Sequence, residues 1–223
     1  MKMKLTAIAA AVAMSASFSV LAAGNDAGVY QDGQNAQADL TQNGQSNKGR
    51  IDQIAGNSGG LATLEQSGEA NEGYIYQVGI ENQAYITQQA SDNDAIVYQG
   101  EGNGSVGAID QSGGSNNYAT VTQYNDFNEA GIIQVGSDNA GSIMQAEDNN
   151  YAGLWQLGDG NDASIAQISA GYQAEGNFAE VTQTGYSQQA TVTQTSALYD
   201  AANTAYVNQS GFGNTANVAQ NAY

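Results

Sequence analysis

Asn82-Gln83-Ala84-Tyr85-Ile86-Thr87-Gln88 decides the fold. Its Asn, Ala, Ile and Gln stand two residues apart, the period of a β-strand, so their four side chains project from one face. Gln83, Tyr85 and Thr87 project from the other and can meet water. The segment is one of seventeen. Each unit closes on a glutamine: Gln31, Gln42, Gln53, Gln66, Gln77, Gln88, Gln99, Gln111, Gln123, Gln134, Gln145, Gln156, Gln167, Gln183, Gln194, Gln209 and Gln220. Two residues before every one stands Val, Ile or Leu; four before stands Ala or Gly; six before stands Asn in 13 of the 17. The spacing is 11 or 12 residues in thirteen of the sixteen intervals.

Each unit therefore reads as a strand of about seven residues and a turn of about four, often with Gly two places after the Gln. A strand this short cannot bury its face alone, so successive units must stack. Two units make one coil of about 22 residues, and seventeen make about eight and a half coils, roughly 40 Å at about 4.8 Å per rung. The predicted architecture is an all-β, two-sheet β-solenoid. Extra residues at Gly56–Gly60, Ile168–Glu175 and Ser196–Ala202 read as surface loops that bulge while the stack continues, because complete units follow each.

Composition first points elsewhere. The 223 residues include 22 acidic and 4 basic ones, and no His, Cys or Pro. Leu, Ile, Val and Phe together number only 37, against 48 Asn and Gln. Such a chain would ordinarily be disordered. Repetition changes that outcome. A buried aliphatic side chain contributes about 1.5–3 kcal/mol per rung, and Asn and Gln, costly when buried alone, can hydrogen-bond to their own kind along the stack.

The same composition removes function classes. Without His or Cys there are no histidine bases, thiol nucleophiles, disulfides or common transition-metal sites. The acidic balance disfavours nucleic acid and anionic membrane surfaces. Asp92-Asn93-Asp94 and Asp159-Gly160-Asn161-Asp162 lack the Gly-Gly-x-Gly-x-Asp phase of calcium-binding rolls and read as turns. Carboxylates such as Asp110 and Glu65 have no pocket-forming sequence around them. No enzyme, metal or cofactor is expected. Outward Tyr30, Tyr76, Tyr98 and Trp155 read as cross-strand aromatic contacts.

Residues 1–22 stand apart. Lys2 and Lys4 precede an uncharged, largely apolar run from Ala7 to Leu21, too short to span a bilayer as a helix. Val20-Leu21-Ala22 offers small residues for cleavage after Ala22. This is the pattern of a secretory signal peptide, leaving residues 23–223 as one solenoid domain with no membrane-inserted part. Without Lys2 and Lys4 the chain carries 2 basic residues against 22 acidic ones, a net charge of −20.

Gln66-Ser67-Gly68-Glu69-Ala70-Asn71-Glu72-Gly73-Tyr74-Ile75-Tyr76-Gln77 and Gln156-Leu157-Gly158-Asp159-Gly160-Asn161-Asp162-Ala163-Ser164-Ile165-Ala166-Gln167 resemble the curlin repeats of curli amyloid subunits. The resemblance runs from Asn25 to Gln220. It implies a secreted subunit that polymerises into extracellular functional amyloid for biofilm matrix and adhesion at the bacterial surface. It also implies export through an outer-membrane pore and seeding by a minor, nucleating curlin. The chain departs from the family in having more repeats than the usual five and little or no Gly-rich segment before the first. Its regular, uncharged last unit favours a major subunit over a nucleator. On this reading the assembly ladder comprises the seventeen glutamines with Asn25, Val29, Asn71, Ile75, Asn82, Ile86, Asn214 and Val218. A monomeric solenoid adhesin is the other class. The ends discriminate, since monomeric solenoids cap their terminal rungs, and neither terminus here has spare sequence for a cap.

Overall fold

The computed structural model describes residues 15–21, 24–54, 56, 58–169, 176–196 and 202–222. These form eighteen strands in two parallel sheets. The first sheet stacks β1 (Ser15–Leu21), β3 (Gln37–Gln45), β5 (Leu61–Glu69), β7 (Gln83–Ser91), β9 (Val106–Gln111), β11 (Glu129–Val135), β13 (Tyr151–Asp159), β15 (Phe178–Tyr186) and β17 (Thr204–Phe212). The second stacks β2 (Asp26–Gln31), β4 (Lys48–Gln53), β6 (Glu72–Gln77), β8 (Asp94–Gln99), β10 (Tyr118–Gln123), β12 (Ala140–Ala146), β14 (Asp162–Ser169), β16 (Gln189–Ser196) and β18 (Thr215–Ala222). The chain thus alternates between sheets, and each strand pairs with the one two places along. This is the predicted β-solenoid.

Register follows the repeat phase. Between β7 and β9, Ala84 lies opposite Gly107, Ile86 opposite Ile109 and Gln88 opposite Gln111. A slip of one residue would turn every aliphatic side chain outward, and a slip of two would take each glutamine off its neighbour, so the pattern admits one pairing. Between the sheets lies a core of one aliphatic and one small residue per strand. Ile51, Ile75, Ile86, Val97, Ile132, Leu154 and Ile165 are all essentially inaccessible. Ala or Gly at the small position sets the sheet separation. A Cβ on Gly73 would lie 2.6 Å from a Leu64 methyl carbon in the facing sheet.

The turns stack as tightly as the strands. Gly44, Gly68, Gly136, Gly158 and Gly185, each two residues after a ladder glutamine, have φ between 110° and 126°. A Cβ on Gly136 would sit 2.1 Å from the carbonyl oxygen of Gly158 one rung on. Both the backbone angle and the close approach require glycine there. Ala90 holds the equivalent place after Gln88, with φ 80°.

One finding modifies the sequence reading and another agrees with it. β1 adds a strand to the seventeen, and it falls inside the segment read as a leader. Its register sets Ala16 opposite Ala38 and Phe18 opposite Leu40, a small–large alternation that continues the repeat without its amides. The stack also passes both long insertions without a break, with Ile165 opposite Val192 and Val181 opposite Val207. The bulges expected there lie largely outside the described residues, at 170–175 and 197–201.

Candidate functional site

The ladder glutamines form two continuous amide columns. In the first sheet Gln42, Gln66, Gln88, Gln111, Gln134, Gln156 and Gln183 each donate from Nε2 to Oε1 of the next, the last to Gln209, at 2.8–3.0 Å. In the second, Gln31, Gln53, Gln77, Gln99, Gln123, Gln145, Gln167 and Gln194 do the same over the same range, the last to Gln220. The other Nε2 hydrogen crosses the core. Gln134 donates to the Tyr118 carbonyl at 2.9 Å and Gln156 to that of Ala140 at 2.8 Å, each at the start of the preceding strand in the opposite sheet. One side chain therefore ties its own sheet along the axis and its neighbour across it.

The asparagines make a second pair of columns that donate the opposite way. In the second sheet the Asn71 backbone N–H and Nδ2 donate back to Asn47 Oδ1 at 3.0 and 3.1 Å. Asn93, Asn117, Asn139 and Asn161 continue the series. In the first sheet the column begins at Asn82, because the two earlier positions are Ala36 and Gly60. There Ser105 substitutes for Asn: its N–H donates to Asn82 Oδ1 at 2.9 Å and its Oγ accepts from Asn128 at 3.2 Å. The glutamine columns donate towards the C-terminal end and the asparagine columns towards the N-terminal end. Opposed dipoles of this kind offset one another along a shared core.

Burial separates the ends from the middle. Asn71, Ile75, Asn82 and Ile86, with every ladder glutamine from Gln42 to Gln194, are at most 2% exposed, while Gln31 and Gln209 reach 8% and 6%. At the terminal strands Asn25, Val29, Val218 and Gln220 are half-buried and Asn214 is exposed, because nothing among the described residues lies over β2 or β18. The inward Ala27, Val29, Ala216 and Val218 touch the core but stay partly uncovered. Two buried side-chain atoms near the N-terminal end have no partner, Asn25 Nδ2 and Gln42 Oε1. At the C-terminal end Gln209 and Gln220 donate only across the core, to Gln189 and Thr204 at 2.9 Å, leaving one Nε2 hydrogen each.

The outer faces carry charge and aromatic rings. Tyr76 and Tyr98 stack at 4.8 Å with planes 4° apart, and Tyr98 meets Tyr124 at 5.7 Å. Arg50 donates from Nε to Asp52 Oδ1 and Oδ2 at 2.9 and 2.8 Å, and the Tyr74 hydroxyl donates to Oδ2 at 2.9 Å. The Tyr74 phenol is pushed up to about 12, first by burial and then by its hydrogen bond and charge contact with Asp52. Burial, with the charge of Glu72 one rung away, also raises the Asp94 carboxyl. Trp155 lies across Gly153, where a Cβ would sit 2.4 Å from its ring.

The repeat marks the positions of both kinds of column, but the sequence reading named neither Ser105 nor Gln188, which take the asparagine place six residues before Gln111 and Gln194; the Gln188 N–H donates to Asn161 Oδ1 at 3.2 Å. Nor did the sequence reading find the direction of donation, which depends on amide orientation.

The curlin associated repeat matches this chain four times, over residues 61–89, 68–100, 114–146 and 136–168. No curated protein matches it. The matches fall where the Asn-x-Ala/Gly-x-aliphatic-x-Gln unit is most regular, and the strand pairing carries the same unit to both ends of the described solenoid. Residues 61–168 belong to the curlin-repeat family.

Proposed function

We propose that the chain is a secreted structural subunit that polymerises end to end into curli-like amyloid fibres at the bacterial surface, serving biofilm matrix and adhesion. One observation carries the reading: among the described residues nothing lies over β2 or β18. Inward aliphatic residues on β2 and β18 are partly uncovered, and the amide columns stop with groups unmet. Solenoids that remain monomeric cover such rungs, and soluble sheets blunt them with charge or Pro. β18 has neither. Another copy supplies what both ends lack. Removal of residues 1–22, which rests on the leader pattern of those residues, and export through an outer-membrane pore and seeding by a minor curlin, which rest on the family resemblance, complete the proposal. The role is structural rather than catalytic.

The test is Val218→Pro. Proline removes a backbone donor and clashes within a strand, while Val218→Thr keeps the donor. The processed Val218→Pro chain should fold yet elongate seeds at a small fraction of the wild-type rate, with Val218→Thr near wild type. Equal elongation by all three would refute growth through β18.

A further inference from the structure

The two ends of the solenoid are complementary, but on different sheets. Once the leader is gone, β1 leaves with it. The second sheet then runs from β2 to β18 and the first from β3 to β17, so both end strands of the chain lie in one sheet. A copy added without rotation would lay its β2 on β18. Its β3 would stand two rungs from β17, with a strand-wide gap of about 9.6 Å between them. Gln209 and the incoming Gln42 would face that gap with their amides unmet. Buried backbone and amide groups left in that state are strongly disfavoured.

We propose that processed copies join head to tail through a half turn about the solenoid axis. The incoming β2 then extends the first sheet on β17, and the incoming β3 extends the second sheet on β18. This inference rests on the self-assembly reading above and on removal of the leader. The alternation of sheets makes it possible, because strands in either sheet make the same contacts: a glutamine along the column, and a carbonyl across the core at the start of the preceding strand. A half turn therefore carries one sheet's chemistry onto the other.

Each group left open at one end then meets its partner at the other. Gln209 Nε2 donates to the incoming Gln31 Oε1, and Gln220 Nε2 to the incoming Gln42 Oε1, an acceptor that finds no donor within the chain. The incoming Asn25 Nδ2, the unpartnered buried donor, reaches Asn203 Oδ1. The outer faces agree as well. Tyr206, 68% exposed, comes into register with Gly28, beside which there is open space. β17 and β18 contain no charged residue, so the incoming Asp26 and Asp39 meet neutral neighbours although the chain as a whole is strongly acidic. A half turn combined with a translation generates an open filament.

Paired cysteines read the joint directly, since the chain has none of its own. The half turn places Asn208 opposite the incoming Tyr30 and Ala219 opposite the incoming Thr41. An unrotated joint places Ala219 opposite the incoming Tyr30. All four positions are exposed, and neighbouring parallel strands hold Cα atoms within disulfide reach. Processed chains carrying N208C/Y30C, T41C/A219C or Y30C/A219C are assembled, oxidised and dissolved in denaturant. The first two should give a ladder of covalent multimers and the third only monomer. The two half-turn pairs sit on different sheets, so misfolding of one variant leaves the other to report. A ladder from Y30C/A219C alone would overturn the half turn while leaving fibre formation intact. Fibres that cross-link through none of the pairs would overturn rung-on-rung joining. Absence of fibres from the wild-type processed chain would overturn the parent reading and this one together.

Discussion

At the scale of single residues, stability lies in amides that would be liabilities in an ordinary core. Gln134 is fully buried. It accepts from Gln111 at 2.9 Å and donates to Gln156 at 2.8 Å and to the Tyr118 carbonyl at 2.9 Å. Truncation leaves a donor, an acceptor and a carbonyl unmet in a site closed to water. Gln134→Ala should therefore destabilise the soluble monomer by about 2–4 kcal/mol in urea unfolding. A loss below about 1 kcal/mol would mean that the columns contribute little beyond shape. The same logic explains why Ser105 is tolerated at an asparagine position: its hydroxyl accepts from Asn128, so that column is not interrupted.

At the scale of strands and sheets, the outer face of the second sheet carries a built-in electrostatic penalty. Asp94 is half-buried beside Glu72, and both effects raise its carboxyl above the ordinary 3.8. A carboxyl raised in the folded state disfavours folding while ionised. The penalty is complete at neutral pH, is relieved as pH falls through the folded value, and is gone below the unfolded one. Asp94→Asn should therefore raise stability at pH 7 and reduce the gain seen on moving towards pH 4. Denaturant midpoints at the two pH values check this, and an unchanged pH dependence would contradict it. Much at this scale was legible in the residues. A period-two phase held over seventeen units specifies strand and inward face, and the fixed places of Asn and Gln within it specify register, since a two-residue slip would take each amide off its neighbour. The strand at Ser15–Leu21 was not legible, because Ala16 and Phe18 keep the alternation but no Asn or Gln marks the unit. Nor was the opposed direction of the Gln and Asn columns, which is set by how each amide satisfies the facing sheet.

At the scale of the whole molecule, the proposed assembly sets attraction at the ends against repulsion along the sides. The processed chain carries a net charge of −20, nearly all of it on outward or turn positions, while β17 and β18 are uncharged. Salt screens repulsion between like-charged copies over roughly 8–10 Å at physiological strength, and acid removes the charge itself. The lag before fibre growth should therefore shorten several-fold between about 10 and 150 mM salt near neutral pH, and shorten again towards pH 4. A lag insensitive to ionic strength would mean that the carboxylates are too dispersed to restrain assembly.

The central claim is that the rungs stacked within one chain continue unbroken along a fibre. Diffraction from aligned fibres of the processed chain tests it most directly. Rungs perpendicular to the fibre axis require a sharp 4.7–4.8 Å reflection on the meridian, with a sheet spacing of about 10 Å on the equator. A 4.7–4.8 Å reflection on the equator, or fibres lacking it, would contradict the account.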